Sequence, residues 1–184
     1  MPLAATSAWA PTARVRKRHW PSCTGWTEGR TVDLILWRHA EAQVLADGQD
    51  DLDRRLTAAG ERQARRMGLW LQQRLPDTTR VWVSPAVRTR ATADALERPY
   101  KVLPELAPQA DPADWLPLMG WPDAVAPVLV VGHQPALGQL AAQLLCGAPL
   151  PWTVKKGAVW WLSSRRRQGV QQVLLRAVQG PDLL

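Results

Sequence analysis

The chain has 184 residues, about one domain's length, and its 46% hydrophobic and 21% charged residues exclude a disordered or fibrous protein. Its apolar runs fall far short of the roughly 18 residues a membrane span requires, and two cysteines, Cys23 and Cys146, are too few for a disulfide framework, so a soluble protein of a reducing, cytoplasmic compartment is expected. The net charge of +7 divides into +4 over residues 1–31 and +3 over the rest, so the body is only mildly basic and neither nucleic acid nor membrane is an expected partner.

Residues 1–31 carry Arg14, Arg16, Lys17, Arg18 and Arg30 without hydrophobic periodicity, and they lack the apolar stretch of a secretory signal. They read as a disordered basic leader, or as an over-extended reading frame whose true start is a GTG codon at Val32. Residues 32–184 form the expected domain. Val32–Trp37 is a short apolar run, read as a buried strand. A helix follows from Thr57 to Leu75, because Ala64, Met67, Gly68, Leu71 and Leu75 share one face and Thr57 can cap its start. Arg80–Ser84 reads as a second strand, and after Pro85 a helix covers Ala86–Leu96. Lys101–Leu103 is a short third strand, and Asp111–Met119 a helix with Pro112 in its first turn. Val128–Val131 is a fully apolar strand that leads through Gly132-His133-Gln134 into a helix over Pro135–Leu145. Gly157–Leu162 and Gln171–Val178 are strands joined by the basic loop Arg165–Gly169, and Trp160 and Trp161 place one ring on each face. Strands alternating with helices give a three-layer α/β/α sandwich with a mostly parallel sheet.

The chemistry gathers at strand ends. His39 follows Arg38 at the carboxyl end of the first strand, and His133 follows Gly132 at the carboxyl end of the Val128–Val131 strand. The strand ending at Ser84-Pro85 delivers Arg88 and Arg90 soon after. Open α/β sheets bind ligands outside such ends, beside helix N-termini. Two imidazoles and two guanidinium groups on one rim suit phosphoryl transfer: the guanidinium forks match phosphoryl oxygens, and a neutral imidazole can attack phosphorus. Positioning and charge stabilisation supply the rest without a metal or other cofactor. No metal-ligand spacing competes, because the histidines are unpaired in sequence and the cysteines stand alone.

These residues carry a family resemblance. Leu34-Ile35-Leu36-Trp37-Arg38-His39-Ala40-Glu41-Ala42 resembles the opening motif of the histidine phosphatase superfamily, with its phosphoglycerate mutase-like fold, and most closely that of its small SixA-type branch of phosphohistidine phosphatases. The resemblance continues in order through Arg54-Arg55-Leu56-Thr57-Ala58-Ala59-Gly60, Ser84-Pro85-Ala86-Val87-Arg88-Thr89, Leu103-Pro104-Glu105-Leu106 and Val131-Gly132-His133-Gln134-Pro135. It implies that His39 is the nucleophile and that Arg38, Arg88 and His133 form its phosphate pocket. Arg54 matches a further phosphate-contacting arginine of the branch, and reads equally as a solvated partner of Asp51 or Asp53. Ala40 stands where many members have Gly, Arg55 where the branch often has Pro, and Ala91-Thr92 replaces a frequent Gln-Thr; none of these removes a pocket residue. Gln134 after His133 disfavours the branch that uses an Asp there as general acid, and Glu105, near the position of a mutase-branch Glu, is the candidate proton donor. Arg62, Arg65, Arg66 and Arg90 read as solvated faces.

The expected activity is metal-independent dephosphorylation through a phosphohistidine intermediate, with a phosphohistidine-bearing protein as substrate. Two other readings stay open: a phosphatase of small phosphorylated molecules on the same fold, and a phosphate- or phosphoprotein-binding module without turnover.

Overall fold

A computed structural model describes residues 31–184; residues 1–30 of the leader, with Cys23 and His19, and the expected disorder or late start lie outside the described residues, and Thr31 already belongs to the first strand. The strands are β1 (Thr31–Arg38), β2 (Arg80–Val83), β3 (Lys101–Val102), β4 (Val128–Gly132), β5 (Val159–Arg167) and β6 (Val170–Gln179). The helices are α1 (Ala58–Gln72), α2 (Val87–Asp94), α3 (Trp115–Met119) and α4 (Ala136–Cys146). One sheet runs in the order β3-β2-β4-β1-β5-β6. Its first four strands are parallel, and the β5–β6 hairpin is added antiparallel along the free edge of β1.

Alternation along β1 divides the interior in two. Leu34 and Leu36 point to the face covered by α3 and α4, where they meet Trp115, Leu137 and Leu140. Ile35 and Trp37 point to the opposite face, against Met67 and Leu71 of α1 and Ala93 of α2. A strand buried on both faces reads as an unbroken apolar run, as β1 and the wholly buried β4 do. The three layers follow directly from this two-sided burial.

Helix α1 begins where expected: the Thr57 hydroxyl accepts the Gly60 N–H at 2.9 Å, and Gly60, Ala64, Met67, Gly68 and Leu71 are buried. The motif glycine Gly60 has a steric reason. A Cβ there would lie 1.9 Å from the Glu41 carbonyl oxygen, so only glycine lets α1 start against the segment that follows β1.

Three elements differ from the sequence reading. The helix expected over Ala86–Leu96 is the shorter α2. The Asp111–Met119 helix is a 3-10 turn, Pro112–Asp114, with the Asp111 carboxylate accepting the Ala113 N–H, followed by the five-residue α3. The basic segment is strand rather than loop: β5 runs on to Arg167 and turns at Gln168-Gly169 alone, both at positive φ (49° and 74°). A two-residue turn of that kind matches strand twist and lets the ladder extend. Trp161 packs edge-on to Trp70 and Trp160 lies against Trp152 on the other face, as the alternation required. Among the described residues no helix is long and apolar enough to cross a membrane.

Candidate active site

Adjacent parallel strands end together, and this places the chemistry. Arg38 of β1 is in register with Gly132 of β4, and the His39 N–H donates to the Gly132 carbonyl at 3.1 Å. His39 and His133 therefore emerge side by side, their ring centroids 5.2 Å apart. β2 flanks β4 on its other side, and its last step brings the Ser84 hydroxyl within 2.7 Å of His133 Nε2.

The orientation of His39 is fixed by its neighbour. Its Nδ1 lies 2.7 Å from the Ala40 carbonyl oxygen. A carbonyl can only accept, so Nδ1 carries the proton and Nε2 keeps the lone pair. Burial lowers the His39 pKa to about 4; the Ala40 hydrogen bond opposes this, and the charges of Arg88, Arg38 and Arg54 add to it. The ring is neutral at physiological pH. His133 is lowered to about 3, first by burial and then by His39 and Arg88, and its buried Nδ1 has no hydrogen-bond partner.

The guanidinium groups are held as firmly. Arg38 Nη1 donates to the Val154 carbonyl at 2.7 Å. Arg88, with 3% of its side chain exposed, donates from Nη2 to Asp51 Oδ2 at 2.7 Å and from Nη1 to the Asp51 carbonyl. Arg54 donates from Nε to the other Asp51 oxygen at 2.8 Å and from Nη1 to the Gln43 carbonyl at 3.0 Å. One carboxylate thus ties two arginines. Burial works to raise the Asp51 pKa, but the bonds and charges of Arg88 and then Arg54 outweigh it and hold the group below its usual value. The Nε atoms of Arg38 and Arg88 are buried without a partner among the described residues.

Together these groups line a cavity of about 420 Å³: Arg38, His39, Ala42, Asp51, Arg54, Arg88, Pro108, His133, Gln134 and Lys156. Five residues picked from the sequence, Arg38, His39, Arg54, Arg88 and His133, meet there. The two readings of Arg54 coincide, since it lines the cavity while pairing with Asp51.

Glu105, the candidate proton donor, is not among the residues that line the cavity. It sits exposed in the 3-10 turn Pro104–Leu106, whose Leu106 is driven into the core while the Glu105 carbonyl accepts the Trp115 indole N–H at 3.0 Å. The sequence reading missed the clamp made by Asp51, the Ser84 contact to His133, and Lys156 on the rim. Only the spacing of Asp51 three residues before Arg54 hinted at the first.

A basic, half-enclosed cavity with unpaired buried N–H donors and a neutral imidazole lone pair can bind a tetrahedral oxyanion and attack its central atom. Among the described residues no group of three or more His, Cys, Asp or Glu is placed to hold a metal ion.

Comparison with known proteins agrees with this geometry. The family model of the histidine phosphatase superfamily (branch 1) matches residues 34–115. The phosphohistidine phosphatase SixA of Escherichia coli (strain K12) is 34% identical over 129 residues, covering 65% of this chain and 78% of that protein. The solved structure of the protein histidine phosphatase SixA complexed with tungstate superposes with a TM-score of 0.64 at 29% identity, over 83% of this chain and 99% of that one. A mycobacterial glucosyl-3-phosphoglycerate phosphatase shares the fold alone, at 20% identity and a TM-score of 0.59, over 80% of this chain and 98% of its own.

Proposed function

Because the chain belongs to the histidine phosphatase superfamily, in its SixA-type branch, we propose that it removes the phosphoryl group from a phosphohistidine of a cytoplasmic protein, with His39 as the nucleophile. His39 Nε2 attacks phosphorus in line, and the bond from phosphorus to the substrate imidazole breaks. Water then attacks the phosphorylated His39, releasing inorganic phosphate and restoring the neutral ring. Arg38, Arg88 and His133 donate to the phosphoryl oxygens through both steps, and Arg54 supports them from the cavity wall. Charge stabilisation by such fixed donors is the larger part of catalysis in reactions of this kind.

The observation that carries the choice of substrate is the state of Asp51. Among the described residues it is the one carboxylate lining the cavity, and two arginines hold it ionised. A phosphate ester must expel an alkoxide, for which a placed acid is worth about 10²–10⁴-fold. A phosphohistidine expels imidazole, whose conjugate acid titrates near pH ~6.5, so solvent can protonate it near neutrality. A site without a free acid favours the P–N bond.

The test is turnover of a phosphohistidine protein beside a panel of unactivated phosphomonoesters, with chelator present throughout. The proposal expects P–N cleavage, feeble ester hydrolysis and no effect of chelator. Brisk hydrolysis of an unactivated ester would replace it with a small-molecule phosphatase, binding without turnover would leave a phosphoprotein-binding module, and strong inhibition by chelator would indicate a metal enzyme.

A further inference from the structure

A second concavity, of about 510 Å³, adjoins the catalytic cavity, and Lys156 lines both. One wall is a stripe of α1, formed by Ala59, Arg62, Gln63 and Arg66, which recur at the i, i+3, i+4, i+7 spacing of a single helix face. The other wall is the turn before β5, with Lys155 and Lys156, and the C-terminal turn at Pro181 and Asp182. Gly157, next to Lys156, ties the two walls together. The Gly157 N–H donates to the His39 carbonyl at 3.0 Å, and a Cβ at Gly157 would lie 3.2 Å from Pro181 and 3.5 Å from Gln63. The walls are thus fixed relative to the nucleophile.

The charge of the trough is net positive: Arg62, Arg66, Lys155 and Lys156 line it with two acids, Glu41, which accepts the Thr57 hydroxyl at 2.8 Å, and Asp182, which pairs with Lys155 at 3.6 Å. Arg62, Arg66 and Lys156 form no ion pair among the described residues. Arg62 and Arg66 are exposed, so their charge is available to a partner rather than used in folding. Nothing in the mechanism at His39 employs them.

We propose that this trough is a docking surface for a protein substrate that carries carboxylate side chains flanking its phosphohistidine. The inference rests on the reading of the substrate as a protein. With the phosphoryl group at His39, the neighbouring surface of the substrate passes Lys156 and lies along α1, where acidic side chains meet Arg62 and Arg66. Complementary charge of this exposed kind acts mainly on encounter and on salt dependence.

The experiment uses two phosphohistidine peptides that differ only in Glu or Gln around the phosphorylated residue, with phosphoramidate as a small substrate, on the full chain and on an R62E/R66E variant. The parent is expected to prefer the Glu peptide at least tenfold in kcat/KM at low ionic strength, through KM, and to lose that preference in 0.5 M salt. R62E/R66E is expected to abolish or invert the preference while phosphoramidate turnover stays within twofold. A Glu/Gln ratio of one in the parent, or a preference that survives R62E/R66E, overturns the docking surface and leaves the activity standing. Failure of the parent on both peptides overturns the substrate reading and the docking surface with it.

Discussion

The catalytic cavity and the adjoining trough are both basic, yet they use cations in opposite ways. Arg88 is almost wholly buried and is clamped by Asp51 from two directions, so its fork has a single orientation before any ligand arrives. Arg62 and Arg66 stand exposed on α1 without an ion-pair partner among the described residues. The difference teaches where arginine does chemistry. A cation fixed in a water-poor site stabilises developing charge with no reorganisation at the moment of reaction, whereas a solvated one steers and selects.

Substitutions in the two regions should therefore diverge widely. His39→Ala should abolish turnover of every substrate, because it removes the proposed nucleophile, and a loss of less than a thousandfold in steady-state rate would break the comparison at its root. Arg38→Ala and Arg88→Ala should each cost about 3 kcal/mol of transition-state stabilisation, a few hundredfold in kcat, on phosphoramidate as well as on protein substrates. Arg54→Ala should cost less, since Arg54 meets Asp51 at the more open edge of the cavity. Equal losses in Arg88→Ala and R62E/R66E on phosphoramidate would erase the distinction between clamped and solvated cations.

The buried imidazoles sharpen the comparison through pH. Their folded pKa values lie at about 4 for His39 and about 3 for His133, below the reference value of about 6.5, so the unfolded chain binds these protons first as pH falls. Their contribution to stability is complete above pH ~6.5 and is lost as pH drops towards the folded values. Denaturant melts between pH 7 and 4 should show this slope in the parent and much less of it in the H39Q/H133Q variant. An identical slope in both would show that the rings are not buried in their neutral form. Glu105→Gln should change turnover less than tenfold, since this side chain does not line the cavity.

The histidines and Arg88 were legible in the sequence because apolar runs mark the strands, and strand ends in a parallel sheet converge whatever the loops do. His39 and His133 needed only that rule, whereas the place of Arg38 in the pocket came from the family motif. The double role of Arg54 was half legible: its spacing from Asp51 indicated a pair, but not that the pair would swing against Arg88, 37 residues away in the chain. That contact depends on the path of the 43–56 segment over the strand ends, which no local periodicity encodes. The orientation of Glu105 was illegible for a related reason. A family position locates a residue along the chain, whereas the burial of Leu106 decides which way the turn faces. The trough was invisible because Lys155 and Lys156 come from a different part of the chain than α1, and each charge taken alone looks like an ordinary solvated face.

The central claim is that phosphate passes through His39, and rapid quenching during turnover with a radiolabelled phosphohistidine substrate tests it most directly. The account predicts an acid-labile, base-stable phosphoryl group on the peptide containing His39, formed within a single turnover and absent from His39→Ala. Label on His133, or full turnover with no phosphoenzyme at any quench time, would contradict it.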